Sequence, residues 1–166
     1  SSSGVNIGDT VTATITLDST GQAVSAVDIF SLNYDPARLQ VQDENGSLAG
    51  KQILGGNVLG TEIYNAVNET TGKISYARAS TPGASGNTFT GTGTVATIRF
   101  RALTAGTATL AFNFSSGSTI DTNVISANQE VLTAVTGASV LISTVTNLDS
   151  DSDGVADSSD CAPADS

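Results

Sequence analysis

Val11-Thr12-Ala13-Thr14-Ile15-Thr16-Leu17 alternates apolar and polar side chains without a break. A period of two is the pattern of a strand with one face buried and the other in water. The preceding Gly8-Asp9 is a turn signal. Further along, residues 24–34 read as a longer strand, with Phe30, Leu32 and Tyr34 on one face and Val27 and Ile29 on the other. Asp35-Pro36 ends it, because proline cannot donate to a ladder, and residues 36–39 read as one helical turn before a short strand at 39–41. Glycines at 46, 50, 55, 56 and 60 make 42–60 an irregular connection with one short strand near Ile53. Residues 62–67 and 73–79 flank a five-residue loop at 68–72 as a hairpin. Residues 80–94, rich in Gly, Ser and Thr, form a loop. The strand at 95–102 turns Ala96, Ile98 and Phe100 inward and Thr97, Arg99 and Arg101 to solvent. The next, at 107–114, has Ala108, Leu110, Phe112 and Phe114 on its inner face, and a last strand covers 138–142. Eight or nine short strands with glycine turns and no helix of three turns predict an all-β fold, a two-sheet β-sandwich or jelly roll. It spans residues 1–146, and an irregular acidic tail occupies 147–166.

The composition agrees with that reading and excludes several functions. The 166 residues include 23 Thr, 21 Ser and 17 Gly, and 13 % are charged. Small and β-tolerant residues suit a turn-rich β domain of one unit. The chain has no His, which removes the commonest general base and transition-metal ligand, and with it Ser-His-Asp and Cys-His catalysis. One cysteine, Cys161, allows neither a thiolate zinc site nor a disulfide within the chain. It is a candidate for an intermolecular cross-link. Six scattered basic residues make no nucleic-acid groove, and no run of about 18 apolar residues is present to span a membrane. The chain has no Met, so its Ser1 start reads as a processed or trimmed end.

The net charge of −10 is concentrated at one end. Residues 149–166 hold six Asp and no Lys or Arg, leaving ten acidic and six basic groups elsewhere. Counting Asp149 as position one, carboxylates fall at 1, 3, 5, 9 and 12, on Asp149, Asp151, Asp153, Asp157 and Asp160. Gly154 stands at position 6 and Val155 offers its carbonyl at 7. Calcium takes six to eight oxygen ligands and needs a sharp glycine turn for the chain to wrap around it. The spacing therefore predicts Ca2+ bound by these five aspartates and Val155. The competing reading is an acidic linker.

Other constellations carry less. Asp43-Glu44 or Asp28 with Asp35 would be needed as a glycosidase pair, and both read better as turn and solvent-facing acids. Tyr34, Tyr64 and Tyr76 read as core or sheet-face packing rather than a sugar-stacking platform. Sequons begin at Asn45, Asn68 and Asn113, candidate glycosylation sites that would suit a secreted protein.

Residues 5–17, 26–39, 72–76 and 93–102 together resemble a cohesin domain over about residues 5–142, most specifically in the Gly8-Asp9-Thr10 strand start and the Tyr34-Asp35-Pro36 turn with Leu39. The resemblance implies a nine-stranded jelly roll that is not catalytic and that binds dockerins, calcium-loaded modules on partner proteins, in extracellular assemblies. The tail is similar to one dockerin calcium loop and, through Cys161-Ala162-Pro163, to a thrombospondin type 3 repeat. It lacks the second loop and the helices of a dockerin. Cohesin-like domains also carry a strand before the Gly-Asp-Thr strand, where only Ser1-Ser2-Ser3-Gly4 is counted here, so that strand is either removed or the sheet edge is open.

The main expectation is a non-catalytic, extracellular or cell-surface assembly module. Copies of the chain would polymerise head to tail into a filament or surface layer through calcium or strand donation. The alternative is a binding module of a larger surface protein, recognising a dockerin or a glycan.

Overall fold

The computed structural model describes residues 4–81 and 87–144. Among them are twelve strands and no helix. They are β1 (Val5–Asn6), β2 (Thr10–Asp18), β3 (Val24–Tyr34), β4 (Leu39–Val41), β5 (Leu54–Gly55), β6 (Thr61–Asn68), β7 (Lys73–Ala79), β8 (Thr92–Ala102), β9 (Gly106–Phe112), β10 (Asn123–Ser126), β11 (Gln129–Glu130) and β12 (Ala138–Ser143). Nine have three residues or more, in line with the eight or nine expected, and β1, β5 and β11 have two each.

The strands form two sheets packed face to face. The larger is ordered β1-β12-β9-β3-β10-β11, with β7 on β3 and β6 beyond it. β3 is its axis. Asp28 pairs with Asn123 of β10 on one edge and Ala77 of β7 on the other, and Leu32 pairs with Phe112 of β9 and Ile74 of β7. β9 and β10 therefore share one edge of β3 end to end, while β7 runs along the other. The smaller sheet is β2-β8-β4, with β5 also on β8. Ile29, Leu32, Ile74 and Tyr76 from one sheet and Leu39, Val41, Ile98 and Phe100 from the other are fully buried between them. The Tyr34 and Phe100 rings meet across the layers, with centroids 5.4 Å apart and planes at 57°.

One face assignment in β3 is corrected. Val27, Ile29, Leu32 and Tyr34 all lie inward, and Phe30 projects outward. The pairing of β3 with β7 slips between Ile29 and Leu32, so two residues stand where alternation allows one, and the parity of the strand changes there. Residues 36–38 make the expected single turn, in which the Arg38 and Leu39 N–H groups donate to Asp35 O at 3.1 and 2.9 Å. Gly72, at φ +64°, lies against the Tyr34 carbonyl, where a Cβ would collide, and its own carbonyl accepts the Tyr34 N–H at 2.8 Å.

A short strand precedes Gly8-Asp9-Thr10. β1 pairs with β12 in parallel through Val5–Ile142 and Asn6–Ser143. Among the described residues β1 has two residues, and β2 pairs with β8 alone, so the second edge of β2 has no partner there.

Phe100→Ala removes a fully buried ring that both sheets touch. A stability loss of about 3–5 kcal/mol is expected from chemical denaturation, with the m-value unchanged.

Candidate binding face

Opposite residues of antiparallel strands project to the same side, so the registers define the outer face of the larger sheet. One row reads Asn123, Asp28, Ala77 and Tyr64 across β10, β3, β7 and β6. A second reads Ile125, Ala26, Ala79 and Thr61, and Ser75 lies opposite Ala66 in a third. Most of these side chains are small, so the face is flat and its backbone lies close to whatever approaches.

Two larger apolar side chains are exposed at the irregularities of its strands. Phe30 is 50 % exposed at the irregularity in β3, and Ile63 is 59 % exposed where the β6–β7 pairing shifts between Glu62 and Tyr64. Ser75 Oγ donates to the Phe30 carbonyl at 2.7 Å, which ties the protruding segment to β7. The Tyr64 hydroxyl donates to Asp28 Oδ1. Burial, this hydrogen bond and the Asp28 charge all push the Tyr64 phenol above its ordinary value of 10.0. A tyrosine bound in this way stays neutral while presenting its ring edge. Lys73, opposite Asn33 and Asn68, marks the charged margin.

The other tyrosines do not join this surface. Tyr34 and Tyr76 are buried, and burial is the main reason each phenol is raised to about 12, with Glu69 adding to it at Tyr34 and Arg78 opposing it at Tyr76. The three rings therefore form no stacking platform.

The weaker acidic pairs have structural duties. The Asp43 carboxylate accepts the Gln52 and Asn45 N–H groups at 3.0 and 3.1 Å, and these bonds hold it below the usual carboxylate range. Glu44 pairs with Arg99 at 2.5 Å and Asp35 with Arg38 at 3.2 Å. Asn45, Asn68 and Asn113 are all exposed, in a loop, a hairpin end and the connection after β9 respectively. Asp149, Asp151, Asp153, Val155, Asp157, Asp160 and Cys161 lie outside the described residues. Among the described residues no group of three His, Cys, Asp or Glu is placed to hold a metal ion, and no helix is long and apolar enough to cross a membrane.

A family model described as the cohesin domain matches residues 1–141. The fold is similar to type II cohesin A11 from Bacteroides cellulosolvens, with a TM-score of 0.65 at 19 % identity over 86 % of this chain and 95 % of that one. The type II cohesin dyad of the ScaA scaffoldin of Acetivibrio cellulolyticus gives 0.64 at 19 % identity, covering 82 % of this chain. This chain spans 45 % of that dyad. The third cohesin of ScaC from Acetivibrio cellulolyticus, solved with the ScaB dockerin, gives 0.60 at 19 % identity over 84 % and 92 % of the two chains. No curated protein matches the sequence.

All three phenols hold their protons more tightly than an unfolded chain does. Their contribution to stability is complete below about pH 10 and is lost as pH rises through about 12 and beyond. A spectrophotometric titration should show no phenolate appearing with a midpoint near 10. Ionisation should instead accompany the loss of near-ultraviolet circular dichroism.

Proposed function

The chain belongs to the cohesin family, and from that membership we propose that the outer face of β3, β6, β7 and β10 binds a folded, dockerin-type module. The family is one of non-catalytic binding modules. The observation that carries the proposal is the flat, small-residue face that holds the Asp28–Tyr64 pair, with Phe30 exposed at the irregularity of β3 and Ile63 exposed on β6. Exposed apolar groups rimmed by polar ones are characteristic of protein contact sites. Ring and aliphatic anchors supply most of the free energy, while a hydrogen-bonded acid in their midst fixes orientation. That ScaC's cohesin was solved with a dockerin supports the same class of partner here. A glycan fits less well, since the tyrosine rings are apart. An extracellular or cell-surface setting follows from this role and agrees with exposed sequons.

The cohesin match and the dockerin-bound relative favour this binding module, the alternative reading, over the head-to-tail filament, which only the edge of β2 left unpaired among the described residues supports. The tail belongs to the same proposal as a calcium site, supported by its aspartate spacing and Gly154.

Phe30→Ala and Ile63→Asp should each weaken binding in a calorimetric screen of dockerin modules at least about tenfold, with thermal stability nearly unchanged as for other surface sites. Loss of binding on Thr12→Asp, on the opposite sheet, with the first two variants behaving as the parent, would move the site elsewhere. Calcium titration should give a binding isotherm whose tail component Asp151→Asn with Asp153→Asn abolishes. An isotherm unaffected by that double substitution rejects the tail as a calcium site.

A further inference from the structure

Asp121 is a buried carboxylate without a basic partner. It is 5 % exposed, in the connection between β9 and β10, and its Oδ2 accepts the Ser115 N–H. Its Oδ1 is buried and has no hydrogen-bond partner among the described residues. The chain's six basic side chains, on Arg38, Lys51, Lys73, Arg78, Arg99 and Arg101, all lie within the described residues, and none is paired with Asp121. Burying an ionised carboxylate is costly unless a counter-charge or a metal ion sits against it.

Asn123, two residues on and 6 % exposed, repeats the pattern. Its Nδ2 donates to the Asp121 carbonyl, which sets the amide beside residue 121, and its buried Oδ1 has no donor among the described residues. Exchanging the amide oxygen and nitrogen does not remove the difficulty, because the oxygen would then face the Asp121 carbonyl. Directly across from Asn123 in β3 is Asp28, in the same row of outward side chains, with its Oδ1 accepting the Tyr64 hydroxyl. Opposite residues bring their Cβ atoms to about 5 Å. Two carboxylates thus flank one amide oxygen, and no basic side chain is paired with either. Main-chain bonds hold the arrangement. The Thr122 N–H donates to Asn113 O at 2.9 Å and the Asn113 N–H to Ser31 O at 2.8 Å, so the connection is closed at its neck and fastened to β3.

We propose that Asp121, Asn123 and Asp28 bind a calcium ion at the junction of β3 and β10, with waters completing its shell on the half-exposed side of Asp28. All three donors are oxygen, which selects a hard cation, and two carboxylates favour a divalent one. Side chains spaced by strand pairing suit calcium's flexible shell, at about 2.3–2.6 Å, better than the tight octahedron that magnesium demands. The site is separate from the tail, and nothing in it depends on the partner proposed for the outer face.

The test uses the 166-residue chain carrying Asp151→Asn and Asp153→Asn, so that the tail adds no response, and calcium chloride as the probe. At ten times the dissociation constant found by titration, amide exchange over residues 113–124 should slow about tenfold and the melting temperature should rise. Magnesium at the same concentration should do much less. Adding Asp121→Asn, which keeps the shape and removes the charge, should abolish both responses. If that variant fails to fold, Asp28→Asn, on a half-exposed side chain, should weaken calcium binding at least about tenfold. Absence of a calcium isotherm, no slowing over 113–124, an equal response to magnesium, or a response that these substitutions leave intact overturns the proposal.

Discussion

The hydrogen-bonding of β3 on both edges is the constraint from which the rest follows. A strand flanked by β7 on one side and by β9 and β10 on the other has nearly all its main-chain groups engaged, and its inner side chains are committed to the core. Its outer side chains are then held on a rigid surface without making the core themselves. Asp28 can stand beside Tyr64 because the β10, β3, β7 and β6 registers bring them into one row. The proposed binding face is in this sense a by-product of pairing, refined by small side chains.

Much of this was legible in the sequence because alternation is strong wherever a strand is long. β2, β3, β8 and the β6–β7 hairpin lie close to where their periodicity places them, and the sandwich follows from their number. The parts that escaped have physical reasons. β10 and β11 are too short to show a period, and their connection at Ala127 and Asn128 uses two positive φ angles without the glycine that usually announces such a turn. The exposure of Phe30 was missed because sequence alternation assumes an unbroken strand, and the irregularity in β3 moves Phe30 to the side opposite Leu32. Two hydrophobic residues on a strand gave no signal that one of them served the surface. The β2 edge left unpaired among the described residues was legible only as an alternative, since two residues, Val5 and Asn6, carry no pattern.

Three ion pairs lie away from that face, whose own acid, Asp28, is held by Tyr64. Arg99 with Glu44, Lys51 with Glu69 and Arg38 with Asp35 neutralise each other on loops and on the smaller sheet. Exposed pairs of this kind add little stability. The six aspartates beyond residue 148 account for six of the ten net negative charges.

The extra residue in β3 also bears on how this surface can change. Phe30 and Ser31 stand between Ile29 and Leu32, and loss of either would restore simple alternation with Val27, Ile29, Leu32 and Tyr34 still inward. A one-codon deletion therefore leaves the core sequence intact and removes a protruding ring or its support, including the carbonyl held by Ser75 or the one held by the Asn113 N–H. Partner preference in this scaffold can drift by chain length, on a different axis from the substitutions that govern its packing.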